Sequence, residues 1–302
     1  MSRTPSASSP PLPGIYVRLV LTALFWGGTW VAARIVVQEV PPFGAAFYRF
    51  LIATLATAWI VRGHEGPLPR LTRREWLMVG LMGLTGVFAY NYFFLHGLQH
   101  ISAGRGALVI ALNPALVALV AWLLFGDRMH ALKATGIALA LGGCLLVVSG
   151  GQPLALVNGE VGIGELMIFG CVVCWTLYTF IGRRATGSLT PLVANLYACA
   201  IGGALLGVAA LVEGSLSQWP DYSLRAWLAI GYLGFFGTAL SYSWFTAGVQ
   251  HIGATKAAAF TNLVPVFGVA LGALILHERL GAGVLLGGAV TVLGVVLTNR
   301  PR

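Results

Sequence analysis

Charge is what this sequence has least of. Charged side chains make up 9% of its 302 residues, with 9 Asp and Glu against 18 Lys and Arg, where soluble domains carry roughly 25%. That shortage excludes an ordinary soluble domain. No acidic residue holds a clear mid-span position: Glu165 opens an apolar run, and Glu39 and Glu160 fall in loops. Their absence from mid-span argues against proton coupling through a membrane carboxylate. No G-x-x-x-x-G-K-[ST] phosphate loop occurs, so ATP-driven work by this chain alone is not expected. Cysteine is scarce as well. Cys144, Cys171, Cys174 and Cys199 all lie in apolar runs, and Cys171-x-x-Cys174 has no second pair or nearby His to complete a metal or redox site. Such thiols pack as small apolar residues, and no metal or cofactor is expected. The 6 histidines fall near helix ends or in loops, and His96 with His100 lacks a carboxylate partner for enzymatic chemistry on lipid. The net charge of +9 does not indicate nucleic acid, because the basic residues separate apolar runs and form no face that could follow a phosphate backbone.

What is present is 58% hydrophobic side chains and 40 glycines. Apolar stretches long enough to cross about 30 Å of hydrocarbon predict spans at 16–37, 44–62, 74–96, 103–125 and 131–150. A second set follows at 162–182, 191–212, 225–247, 254–276 and 281–298. Residues 1–15 read as a disordered tail and 151–161 as a linker between two five-helix units, 16–150 and 162–299. The first run lacks a small-residue cleavage site and reads as a retained span. The expected fold class is therefore an all-α integral membrane protein with ten transmembrane helices.

The two units match. Asp127-Arg128 closes the fourth run and Glu278-Arg279 the ninth, 151 residues later. At the same offset Gln99-His100-Ile101 meets Gln250-His251-Ile252, Pro114 meets Pro265, and Arg105 meets Lys256. Near the start the offset is 149, pairing Trp26 with Trp175, Arg34 with Arg183 and Pro42 with Pro191. This is an internal repeat. An odd number of spans per repeat inserts the second upside down relative to the first. With the amino terminus inside, 13 Lys and Arg fall on the cytoplasmic side and 5 on the other, which predicts two cytoplasmic termini.

These features resemble a known group. The two repeats, Trp26-Gly27-Gly28-Thr29-Trp30, Asn113-Pro114, Pro265, and the acidic-Arg ends Asp127-Arg128 and Glu278-Arg279 resemble the drug/metabolite transporter superfamily. Within it, residues 16–299 look like the EamA family and its bacterial amino-acid exporters, some of which prefer aromatic amino acids. The resemblance implies a bacterial-type inner-membrane carrier. The superfamily as a whole handles amino acids, nucleotide sugars, sugar phosphates, cations and drugs. The membrane acid of its small multidrug-resistance branch is absent here, which argues against cationic drugs.

Candidate site residues follow from polarity at depth. Trp30 follows Trp26 by four residues and Tyr178 follows Trp175 by three, so each pair shares a helix face. An indole N–H facing lipid tails lacks a partner, which turns these residues inward, to line a substrate path or to pack the core. Tyr90 and Tyr242 lie deeper than Phe94, Trp76 and Trp227, which read as interfacial rings, and their hydroxyls need a partner or a wet cavity. Pro114 and Pro265 each free the carbonyl four residues earlier, on Ile110 and Thr261. With the amides Asn113 and Asn262 beside them, these breaks suit a polar ligand such as a zwitterion's ammonium, a plain packing kink being the alternative. Arg49, one or two turns inside the second span, and Arg105 and Lys256, which open the fourth and ninth, read as gate or anion contacts; snorkelling serves equally for the last two. Arg34 and Arg183 end their helices and are expected to snorkel. The fifth and tenth runs hold no aromatic residue. Gly136, Gly142, Gly143, Gly287, Gly288 and Gly294 allow close packing there, between the halves or across a homodimer.

The expected function is a secondary transporter exporting small metabolites, amino acids foremost, by alternating access and facilitated diffusion, working as a monomer in a lipid bilayer. The alternative is an antiporter of anionic metabolites such as sugar phosphates or nucleotide sugars, with Arg105 and Lys256 as its binding charges. No enzymatic activity is expected.

Overall fold

The computed structural model describes residues 12–126, 129–152, 162–185, 187–217 and 221–299. Every regular element among them is helical. In chain order these are α1 (Leu12–Val36), α2 (Pro42–His64), α3 (Arg73–His100), α4 in two parts (Ala103–Ile110 and Asn113–Phe125) and α5 (Ala131–Val148). Then follow α6 (Ile163–Ala185), α7 (Pro191–Glu213), α8 (224–252), α9 in two parts (Ala254–Thr261 and Leu263–Ile275) and α10 (Ala282–Thr298). Eight helices, α1 to α7 and α9, are long and apolar enough to cross a membrane, and α10 is a shorter apolar helix. Helix α8 carries Tyr232, Thr238, Ser241, Tyr242, Ser243 and Thr246, which dilute its apolarity.

Local chemistry explains most helix starts. Pro42 and Pro191 sit in first turns, where a missing N–H costs nothing. Thr72 and Glu75 form a capping box at the start of α3, while the side chains of Ser102, Thr190 and Ser223 accept from the backbone N–H three residues on. Helix α1 begins at Leu12, inside the expected tail, because Ile15 and Leu19 bury against Ala257 of α9. Helices α3 and α8 run on past their expected ends, to His100 and Ile252. Asp127, Arg128 and the linker residues 153–161, Glu160 included, lie outside the described residues.

The halves share unusual features. A π-helical stretch interrupts α3 at Gly83–Ala89 and α8 at Phe235–Leu240, a device frequent near functional sites. Helix α4 breaks at Ala111 and Leu112, ahead of Pro114, and α9 breaks at Asn262, ahead of Pro265. In packing, α5 pairs with α10 and α2 with α7, while α1 lies against α8 and α9 as α6 lies against α3 and α4. Gly136 and Gly143 of α5 and Gly287 and Gly294 of α10 face the opposing helix, while Gly288 faces Leu108 of α4. A Cβ added to Gly136 would stand 2.6 Å from the Thr298 N, whereas one at Gly142 meets nothing within 4 Å. The small-residue face is thus used between the halves.

Candidate functional site

A cavity of about 790 Å³ enters the bundle from one end. Its mouth is lined by Lys133, Arg183, Pro191, Gln250 and Asn299, which start or finish their helices. Its floor, lined by Trp30, Arg49, Asn91 and Thr238, lies at or past the middle of their helices toward the opposite end.

The cavity collects the aromatic candidates. Trp26, Trp30, Tyr90, Trp175, Tyr178 and Tyr242 all line it. On one wall Trp175 stacks on Tyr178, centroids 5.4 Å apart at 28°, with Tyr90 edge-on to Trp175 at 6.2 Å. On the other, Trp26 lies 6.4 Å from Tyr242 and 5.3 Å from Phe245. The walls are linked: Tyr242 Oη donates to Tyr178 Oη at 2.8 Å, and Tyr178 Oη to Asn195 Oδ1 at 3.2 Å. Asn113, Pro114, Asn262 and Pro265 also border the cavity, so both helix breaks open onto it. Asn113 Oδ1 is buried without a partner in the protein.

Arg49 is the buried charge of this site, 8% exposed. Its Nη1 donates to Asn91 Oδ1 at 3.0 Å and its Nη2 to Thr238 Oγ1 at 3.4 Å. The guanidinium carbon stands 5.1 Å from the Phe50 ring centroid and 5.8 Å from that of Phe94. Its Nε has no partner, nor does Asn195 Nδ2. No Asp or Glu among the described residues lines the cavity.

The remaining basic candidates lie elsewhere. Arg105 is drawn to the closed end of the bundle. It pairs with the buried Glu165 at 2.9 Å and donates to the Val147 and Val148 carbonyls at 3.1 and 2.5 Å, capping the end of α5. It neither snorkels nor faces the cavity. Lys256 is exposed at the start of α9 and is not part of the cavity lining. Arg34 donates to the Leu98 carbonyl instead of snorkelling. Phe94 is no interfacial ring: at 2% exposure it packs edge-on against Trp30, 4.9 Å away. It lies deeper than expected because α3 continues to His100.

Sequence reading missed Asn91, Asn195 and Thr238. Two signals were available. Asn91 corresponds to Tyr242 at the 151-residue offset, and Asn195 is an amide within an apolar run, the same criterion that singled out Asn113.

The closed end is held by carboxylates on backbone N–H groups. Glu278 accepts from Ala103 N at 2.7 Å and Gly104 N at 2.9 Å, at the first turn of α4. Glu213 accepts from Phe43 N and Gly44 N at the first turn of α2, at 3.4 and 3.1 Å. Glu39, between α1 and α2, accepts from the Ser223 side chain at 2.6 Å and from its backbone N–H. Those bonds hold the Glu39 carboxyl below its ordinary value of 4.5. A lowered carboxyl pKa keeps the tie intact above that value and releases it only as pH falls through the lowered one. Proteolytic susceptibility of the loop before α8 is therefore expected to stay constant from neutral pH down to about 4.5, and a rise well above that pH would contradict the tie.

The profile described as the EamA-like transporter family matches residues 14–149 and again 162–300. The chain is 32% identical to transporter YyaM of Bacillus subtilis (strain 168), over 93% of this chain and 94% of that one. It is 30% identical to the inner membrane transporter YedA of Escherichia coli (strain K12), covering 91% and 87%. A protein named a probable terminal-alkyne amino-acid exporter, from Streptantibioticus cattleyicolor, is 27% identical over 93% and 92%. A solved crystal structure at 21% identity superposes with a TM-score of 0.66, covering 95% of this chain and 98% of its own, a likeness of fold.

Proposed function

The chain belongs to the EamA-like transporter family, and from that premise we propose that this multi-pass membrane transporter exports small neutral amino acids, aromatic ones included, by alternating access. One observation carries the reading. One cavity, with no carboxylate on its wall among the described residues, is lined by Trp26, Tyr90, Trp175, Tyr178 and Tyr242 and carries the amides Asn113 and Asn262 at its two helix breaks. Ring walls suit an apolar or aromatic side chain, and amides with broken-helix carbonyls suit an ammonium. The exporter from Streptantibioticus cattleyicolor, named for an amino-acid substrate, agrees with this chemistry.

The architecture of this reading is two inverted five-helix repeats with ten spans. It is supported by the 151-residue offset, by the π-helical stretches in both α3 and α8, and by the reciprocal packing of α1 and α6. Both termini are cytoplasmic and the membrane is a bacterial-type inner membrane, as the 13-to-5 charge bias supports. The cavity mouth lies at the basic end, so the described state faces inward. With no carboxylate on the cavity wall among the described residues, the carrier runs down the substrate's gradient, and one chain suffices for it. The anion-antiporter reading is weakened because Arg105, one of its two binding charges, is taken up by Glu165.

The test is counterflow in proteoliposomes, with labelled amino acids, sugar phosphates and nucleotide sugars, with and without a pH gradient. Uptake of amino acids alone is expected, and movement of sugar phosphates alone would overturn the assignment. Trp26→Ala and Trp175→Ala are each expected to weaken apparent affinity for an aromatic amino acid about tenfold, one aromatic contact being worth about 0.5–1.5 kcal/mol beyond its area. They should weaken affinity for alanine much less. Equal losses for both substrates would mean that the rings merely pack the core.

A further inference from the structure

Within the amino-acid reading, on which this inference rests, we propose that Arg49 is the anchor for the substrate's carboxylate and that the site requires a monoanionic carboxyl group. Arg49 lies seven residues into α2, about 10 Å along the helix from its start, at the cavity floor. A guanidinium at that depth without an opposite charge is costly to hold. Its two protein partners, Asn91 Oδ1 and Thr238 Oγ1, are neutral. They orient the group without compensating it. Asn91 follows the π-helical stretch of α3 and Thr238 lies within that of α8, so the guanidinium is gripped by one helix from each half.

Two buried donors remain unpartnered on residues that line this cavity, Arg49 Nε and Asn195 Nδ2. Asn195 is 4% exposed, and its Oδ1 is occupied by Tyr178, which leaves the amide N–H groups to give. A cation with donors to spare and a further amide donor in the same cavity lining match an acceptor that carries one negative charge on two oxygens. Asn113 Oδ1, buried and unpartnered, is the complementary acceptor for an ammonium. A phosphate ester carries up to two charges, and this floor compensates one.

The experiment is competition binding in detergent against labelled L-tryptophan and L-phenylalanine, with tryptophanamide and tryptamine as carboxylate-free competitors. Wild type is expected to bind L-tryptophan about 10- to 100-fold more tightly than either competitor, the worth of a charged hydrogen bond. In Arg49→Gln that preference should vanish through loss of L-tryptophan affinity, with tryptophanamide affinity unchanged. Equal loss of both ligands in Arg49→Gln would make Arg49 a packing residue and overturn the proposal. Should Arg49→Gln not fold, the wild-type comparison and Arg49→Lys, which keeps the charge and should keep much of the carboxylate preference, decide it. Wild type that binds amino acid and amide alike overturns this inference alone. Wild type that binds no amino acid, but does bind glucose 6-phosphate, overturns the amino-acid reading as well.

Discussion

Replacing Gly294 by Val is expected to remove most of the folded protein from the membrane, while Gly142→Val leaves it in place. At Gly294 an added Cβ would overlap the Ala140 N and stand 2.5 Å from the Gly136 carbonyl oxygen; at Gly143 it would stand 2.5 Å from the Thr291 N. These neighbours are backbone atoms of the opposing helix. No side chain can swing aside, so α5 and α10 must part, and association of helices in lipid relies on such close contact. Overpacking typically costs about 1–3 kcal/mol, and a backbone-against-backbone clash belongs at or above the top of that range. Gly142, on the other face of α5, meets nothing within 4 Å. The readout is monodisperse yield and melting temperature by fluorescence-detected chromatography. A Gly294→Val protein as stable as wild type would mean that α5 and α10 do not cross here.

Glu278→Gln is expected to open the end of the bundle that is closed in this structure. The carboxylate bridges the halves, taking two N–H groups from the first turn of α4, where the helix dipole also favours a negative charge. Its placement is built in. His277 adopts φ of 55°, the one positive φ outside glycine among the described residues, a turn that side chains rarely accept. Gly272 leaves room, since a Cβ there would lie 2.8 Å from Glu278 Oε2. Hydrogen bonds to a charged group are worth about 1.5–3 kcal/mol, so losing the charge should shift the balance between closed and open forms of this end about 10- to 100-fold. Alkylation of Ala103→Cys, at a position 0% exposed beside the Glu278 tie, by an impermeant thiol reagent in a background without native cysteines should quicken accordingly. An unchanged rate would leave Glu278 with no part in closure.

The helices were legible because their signals are local. Apolar runs, capping residues such as Thr72 and Ser102, and first-turn prolines act within a few residues, so even the break before Pro114 could be read directly. The rings and the two amides were legible as candidates for a related reason: a polar atom deep in an apolar run must be satisfied somewhere.

Where those groups find satisfaction was not legible. Arg105 matched Lys256 in the repeat, yet only packing shows it spent on Glu165. Glu278 was visible as the end of a run, but not as a tie to α4.

The sequence by itself determined that this chain is a helical membrane protein of two like halves with polar groups at depth, because hydrophobicity and repetition are properties of the string. Only the tertiary structure decided that Arg49 meets Asn91 and Thr238 rather than a carboxylate, and that the rings face one cavity. Those partners lie on different helices, and helix neighbours are set by small-residue packing and by the π-helical stretches, whose effect on which face turns inward is felt across the bundle rather than along the chain.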